Sequence, residues 1–363
     1  MNIKQSLRNI DKVLTNAIGH FFKGYWPTSD EIGKDEVKSL ANRLKAGSYK
    51  ETLTNILEWQ ERNMEFWTER QPILPLLGYI CLIFVAAVVI FSAGFFISIP
   101  LLIWLNIQII MWFTQTAWWF LMISIVMLAS STLAILATMI SILRSNRKFK
   151  WKEIPRGLKN VIWPSISMNF LLEKKLGVCR DYAKMAACLL SNIYPDAEIY
   201  FASAPYHVAT GINIENRLYM LDQRLPILTK DRWNDYRKPR KSNGIERFDP
   251  AKETLQKADR KVSLQTRGKS EPDTENLAKK MTELLNIKQQ PDSKAIPLQE
   301  PILILWKNGA ILYEENEMTD YSLARYLETK ISSELIRKNQ ITRIEISRHK
   351  DDLTFQIHSS QNK

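Results

Sequence analysis

The chain is poor in the residues that make metal centres and disulfide frameworks. Its 363 residues include three cysteines and four histidines. Cys81 lies inside a long apolar run, so the cysteines build no disulfide framework, and their number suits a reducing compartment. His20, His207, His349 and His358 are far apart, and none stands in a C-x-x-C context, so zinc-ligand spacing is absent. No metal ligand, cofactor-binding residue or cofactor is expected. Charge is also missing, but only locally: no charged residue occurs from Ile73 to Leu143. That excludes a solvated loop there. It also argues against a transporter or channel, whose substrate path usually needs ionisable groups inside the membrane.

What is present is basic. The formal net charge of +12 would suit nucleic acid or an anionic membrane surface. The apolar run decides for the membrane, and no specific nucleic acid is expected. Leu76–Ile97 and Ala117–Ile142 are each long enough to span about 30 Å of hydrocarbon. Between them, 100–115 is broken by Pro100, Asn106 and Gln108 and reads as a third short span or an interfacial stretch. Segments of one folded domain on both sides of the run require an even number of crossings, so a two-span hairpin is expected. Arg144, Arg147, Lys148 and Lys150 follow the second span, and Lys38, Arg43, Arg62 and Arg70 precede the first. By the positive-inside rule the N-terminus and the folded domain are cytoplasmic, in a multi-pass protein of the cell membrane with the lipid bilayer as partner. Residues 1–34 begin with an amphipathic pattern (Ile3, Leu7, Ile10, Leu14, beside Lys4 and Arg8). A helix lying on the membrane and a helix packed on the folded domain both fit it.

The chemistry points to Gly177-Val178-Cys179-Arg180-Asp181-Tyr182-Ala183. Ala183, Ala186, Ala187 and Leu190 fall at helical spacing, which puts Cys179 at a helix start. Backbone N–H groups and the positive end of the helix dipole favour the thiolate there, the form that attacks a carbonyl. Cys188, deeper in the same helix, reads as a buried core thiol. His207–Ile214 and Arg217–Leu221 read as strands joined by a turn at Glu215-Asn216, which brings His207 and Asp222 onto paired strands. Cys179, His207 and Asp222 are therefore the candidate catalytic residues. The thiol would attack, the imidazole would take and return the proton, and the carboxylate would orient the imidazole. The expected fold is α+β, an antiparallel sheet packed on the cysteine helix.

The G-V-C-x-D-Y-A motif, Tyr206-His207-Val208 and Tyr219-Met220-Leu221-Asp222 resemble the transglutaminase-like superfamily in order and spacing. The resemblance covers roughly Asp35–Gln71 and Phe149–Trp233. It implies a papain-like fold with a Cys-His-Asp triad, acting through an acyl-thioester on protein or peptide amides by hydrolysis or acyl transfer. Members commonly carry an aromatic two residues past the histidine, where this chain has Ala209. On this reading 35–72 supplies the N-terminal helices of the domain, 73–143 the transmembrane hairpin, and 144–236 the core with the triad. Residues 237–300 read as a charged linker with a short helix near Thr274–Ile287. Residues 301–363 form a small C-terminal α/β unit, with a hairpin expected at Lys307-Asn308-Gly309. The partner is a protein or peptide substrate, and the sequence leaves the oligomeric state open. The rival expectation is a catalytically silent, membrane-tethered scaffold that binds a peptide or protein in the same cleft.

Overall fold

The computed structural model describes residues 25–67, 70, 133, 136–137, 140, 150–155, 157, 160, 166–204, 207–237, 244–257, 272–285, 301–331 and 341–359. The chain divides into two compact units, Met1–Phe66 with Met168–Lys363, and Trp67–Ser167.

Among its described residues the larger unit starts with the helices α1 (Ser29–Ile32), α2 (Asp35–Leu44) and α3 (Tyr49–Asn63). Thr28 caps α1 in a reciprocal capping box with Glu31, and Ser48 caps α3 by accepting from the Glu51 N–H. Strand β1 (Glu65–Phe66) follows. The chain re-enters the unit at α4 (Met168–Lys174) and β2 (Leu176–Gly177), which pairs in parallel with β1. Helix α5 (Cys179–Ile193) is buried from Asp181 through Leu190, as befits a helix with neighbours on every side.

A six-stranded antiparallel sheet lies on α5. Strands β3 (Ile199–Ala204), β4 (His207–Ile214), β5 (Arg217–Leu221) and β6 (Leu228–Thr229) precede α6 (Lys230–Arg237). Strands β7 (Gly244–Asp249) and β8 (Thr254–Lys257) complete the spatial order β6-β5-β4-β3-β7-β8. The antiparallel sheet against the cysteine helix is as expected. Two strands, however, lie in a stretch that reads as a charged linker. Each face of β7 carries an apolar and a charged residue: Phe248 is buried on the face it shares with Glu246, and Ile245 packs on the sheet's second core on the face it shares with Arg247, which pairs with Glu198 at 2.9 Å. The sheet's two faces follow the period-2 rule. Thr210 on one face donates to the Ala183 carbonyl of α5 at 2.6 Å. Tyr200, Ala202, Ala204, Ala209, Leu218 and Met220 form a second apolar layer, closed by Trp233 of α6. Gly211 belongs to this second face: a Cβ there would come within 2.9 Å of Leu218.

Helix α7 (Thr274–Leu284), capped by Asp273, packs on a three-stranded sheet in the order β10-β11-β9. Its strands are β9 (Ile302–Trp306), β10 (Ile341–His349) and β11 (Asp352–Ser359), and between β9 and β10 lie α8 (Gly309–Leu312) and α9 (Glu317–Lys330). The hairpin expected at Asn308-Gly309 is instead the start of α8. Asn308 adopts the left-handed conformation, but the Trp306 indole fills the space above Gly309, where a Cβ would approach its ring to 2.8 Å. The glycine serves that close approach, and the chain turns into a helix.

In the smaller unit Arg70 is fully buried and its Nε donates to the Asn160 carbonyl at 3.1 Å. Among the described residues no helix is long and apolar enough to cross a membrane. The longest described helices, α3 and α5, have 15 residues each, short of the roughly 20 a crossing needs. The expected transmembrane hairpin is corrected on that finding, and with it the two-span cell-membrane placement and the cytoplasmic assignment that depended on it. The physical reason is that absence of charge makes a run compatible with hydrocarbon but does not establish an unbroken helix of sufficient length. All of 76–97, all of 100–115 and most of 117–142 lie outside the described residues, as does the amphipathic pattern of residues 1–24.

Candidate active site

Cys179 is the first residue of α5, behind an extended Val178 (φ −104°, ψ 178°), and its side chain is partly exposed. Local sequence explains the position. Asp181 is fully buried and its Oδ2 accepts from the Val178 N–H at 2.8 Å, so the carboxylate in the motif closes the helix start. Gly177 makes room for it: a Cβ there would come within 2.9 Å of the Asp181 Cβ and 3.3 Å of Met64. Cys188, two turns on, is fully buried, and burial pushes its thiol far up, away from thiolate.

His207 opens β4 and Asp222 follows the last residue of β5. The register pairs Thr210 with Leu221 across the Glu215-Asn216 turn, where both residues have φ near +60° (52° and 61°). This brings His207 Nε2 to 2.8 Å from Asp222 Oδ1. An ionised carboxylate only accepts, so Nε2 is the donor in that state, and in the neutral ring Nδ1 then carries the basic lone pair. The sequence places these two residues together, and the structure does the same.

A third group acts on the carboxylate. Trp233 Nε1 donates to Asp222 Oδ2 at 2.9 Å, and its ring lies 6.1 Å from the imidazole at an angle of 31°. Trp233 is 1% exposed, so the pair is walled off on that side. Nothing in the sequence singled Trp233 out. The only available signal was a tryptophan on a strongly polar helix, where an aromatic needs a reason to be buried.

The segment between Asp222 and α6 is held from α9. The Ile227 N–H donates to Ser322 Oγ at 3.0 Å, and Thr319 Oγ1 donates to the Ile227 carbonyl at 3.4 Å. Thr229 Oγ1 donates to Glu314 at 2.5 Å. Tyr206 lies outside the described residues. Among the described residues no group of His, Cys, Asp or Glu is arranged to hold a metal ion.

A family model described as a transglutaminase-like domain matches residues 35–247, more than half of the chain. The chain belongs to that family.

The transglutaminase-like domain thus takes in α2, α3, the cysteine helix and the sheet through most of β7. A UPF0252 protein of Methanocaldococcus jannaschii is 29% identical over 210 residues, 56% of this chain. The chain spans 58% of that relative's length. No solved structure matches. The transglutaminase-like match ends before α7, α8 and α9, so the side chains that grip Ile227 come from outside it.

Proposed function

We propose that the chain is a cysteine enzyme that forms an acyl-thioester at Cys179 on protein or peptide amides. The observation that carries this reading is the His207–Asp222 pair at 2.8 Å, in a domain whose cysteine heads a buried helix. In the proposed cycle the Cys179 thiol gives its proton to His207 Nδ1 and its sulfur bonds to the amide carbonyl carbon. The C–N bond breaks as the imidazolium returns the proton to the departing amine. The Cys179 N–H, near the helix start, is a candidate donor to the oxyanion. Water or a second amine then attacks the thioester with His207 as base, giving an acid or a new amide and restoring the thiol. Asp222 keeps the imidazole in one tautomer and stabilises its positive charge. No metal or organic cofactor takes part in this scheme.

The test is the rate of Cys179 alkylation by iodoacetamide against pH, in Cys81→Ala, Cys188→Ala protein, with and without His207→Ala. The expected result is reaction well below the ordinary thiol pKa of about 8.5, with a loss of roughly 100-fold at pH 6 on removing the imidazole. Slow alkylation with an ordinary pH profile, indifferent to His207, would instead support a catalytically silent scaffold that binds a peptide or protein in the same cleft.

A further inference from the structure

We infer that Trp233 is a positioning residue for the catalytic pair, fixing the Asp222 carboxylate so that one of its oxygens faces His207. A carboxylate on a β-strand end can rotate about its terminal torsion, and only one setting presents Oδ1 along the imidazole N–H. With the indole N–H donating to Oδ2 at 2.9 Å and the imidazole at 2.8 Å from Oδ1, both oxygens are engaged from different directions and that rotation is restricted. The indole donor also stabilises the ionised carboxylate, and the ring, buried and tilted toward the imidazole, keeps water from competing at that side. The donor arrives from α6, eleven residues beyond Asp222 and after the short β6, so the pair depends on an element that carries no reacting group.

Packing alone offers a rival account, because Trp233 also closes the apolar layer of Tyr200, Ala202, Ala209, Leu218 and Met220. The two accounts separate on the N–H. Trp233→Phe keeps an aromatic ring and removes the donor, whereas Leu218→Ala weakens the same layer without touching the carboxylate.

The inference rests on the Cys-His-Asp reading, so its readout is taken at the histidine and not at the thiol. In full-length Cys179→Ala protein, NMR titration of the His207 imidazole is compared across the parent, Trp233→Phe, Leu218→Ala and Asp222→Asn. The expected result is a roughly tenfold loss of imidazole proton affinity in Trp233→Phe. Asp222→Asn should lose more, and Leu218→Ala should titrate as the parent while melting earlier. An imidazole proton affinity that is unchanged or raised in Trp233→Phe, with a lowered melting temperature like that of Leu218→Ala, overturns the inference. So does a titration that ignores Asp222→Asn, since there is then no working pair to position. Failure of the enzyme reading appears elsewhere, as His207-independent alkylation of Cys179, and leaves the titration result standing.

Discussion

Tyr182 lies one turn along α5 from Cys179, and burial pushes its phenol up to about 12 from the usual 10.0. The folded state therefore holds the phenolic proton more tightly than the unfolded chain does. Its contribution to stability is complete below about pH 10 and is lost as pH rises from there toward 12. A shift of that size amounts to roughly 2–3 kcal/mol. Tyr182→Phe should remove this share of the alkaline sensitivity, so the parent should lose more stability than the variant between pH 9 and 11.5 in denaturant titrations. At this scale the contact of His207 with Asp222 was legible, because the turn between their strands brings the two positions together. Trp233 was not legible, since an indole in a core and an indole donating to a carboxylate look the same in sequence. Lys184 was also hidden. It sits amid Ala183, Met185 and Ala186 with only 3% of its side chain exposed, and its charge is met by Glu31 at 2.6 Å from 153 residues away. No local pattern announces such a pair.

Each element around the site is held at its ends. Gly177 leaves the helix-capping carboxylate of Asp181 its place, and the Gln60 side chain of α3 donates to the Tyr182 carbonyl of α5 at 2.9 Å. Gly177→Ala should destabilise the protein by roughly 1–3 kcal/mol through overpacking against Asp181, Met64 and Leu171, read from the denaturation midpoint. The backbone there is not left-handed, so the cost should be steric, and a compensating Met64→Ala should recover part of it. Strands β4 and β5 were readable to the residue, because two largely apolar runs flank an Asn-containing turn that sets the register. Strands β7 and β8 were not, because their many charges imitate a solvated segment. The sheet tolerates those charges on its outer strands, where Arg247 meets Glu198 and Glu246 accepts from the Tyr25 hydroxyl at 2.7 Å.

Across the larger unit, distant segments meet behind the cysteine helix and behind the aspartate. Glu31 joins α1 to α5 and also accepts from the Met168 N–H at 3.2 Å, so one buried carboxylate ties three segments together. Helix α9 reaches α3 through Arg325 and Glu58 at 2.6 Å, and holds the segment after Asp222 through Ser322 and Thr319. Ser322→Ala would leave the buried Ile227 N–H without its acceptor, at roughly 1–3 kcal/mol. It should also slow Cys179 alkylation, which a fold complete within residues 35–247 would not show. The apolar run from Ile73 to Leu143 shows the limit of hydropathy at this scale, since composition alone suggested a hairpin for which no described helix provides the length. The grip of α9 also orders events in time. Ile227 and Ser322 are 95 residues apart, and a ribosome adding roughly 5–20 residues per second needs about 5–20 s to cover that distance. Cys179, His207 and Asp222 all emerge before the hydroxyl that steadies their neighbourhood, so a growing chain passes through a period in which its thiol has been made but its site has not yet been closed.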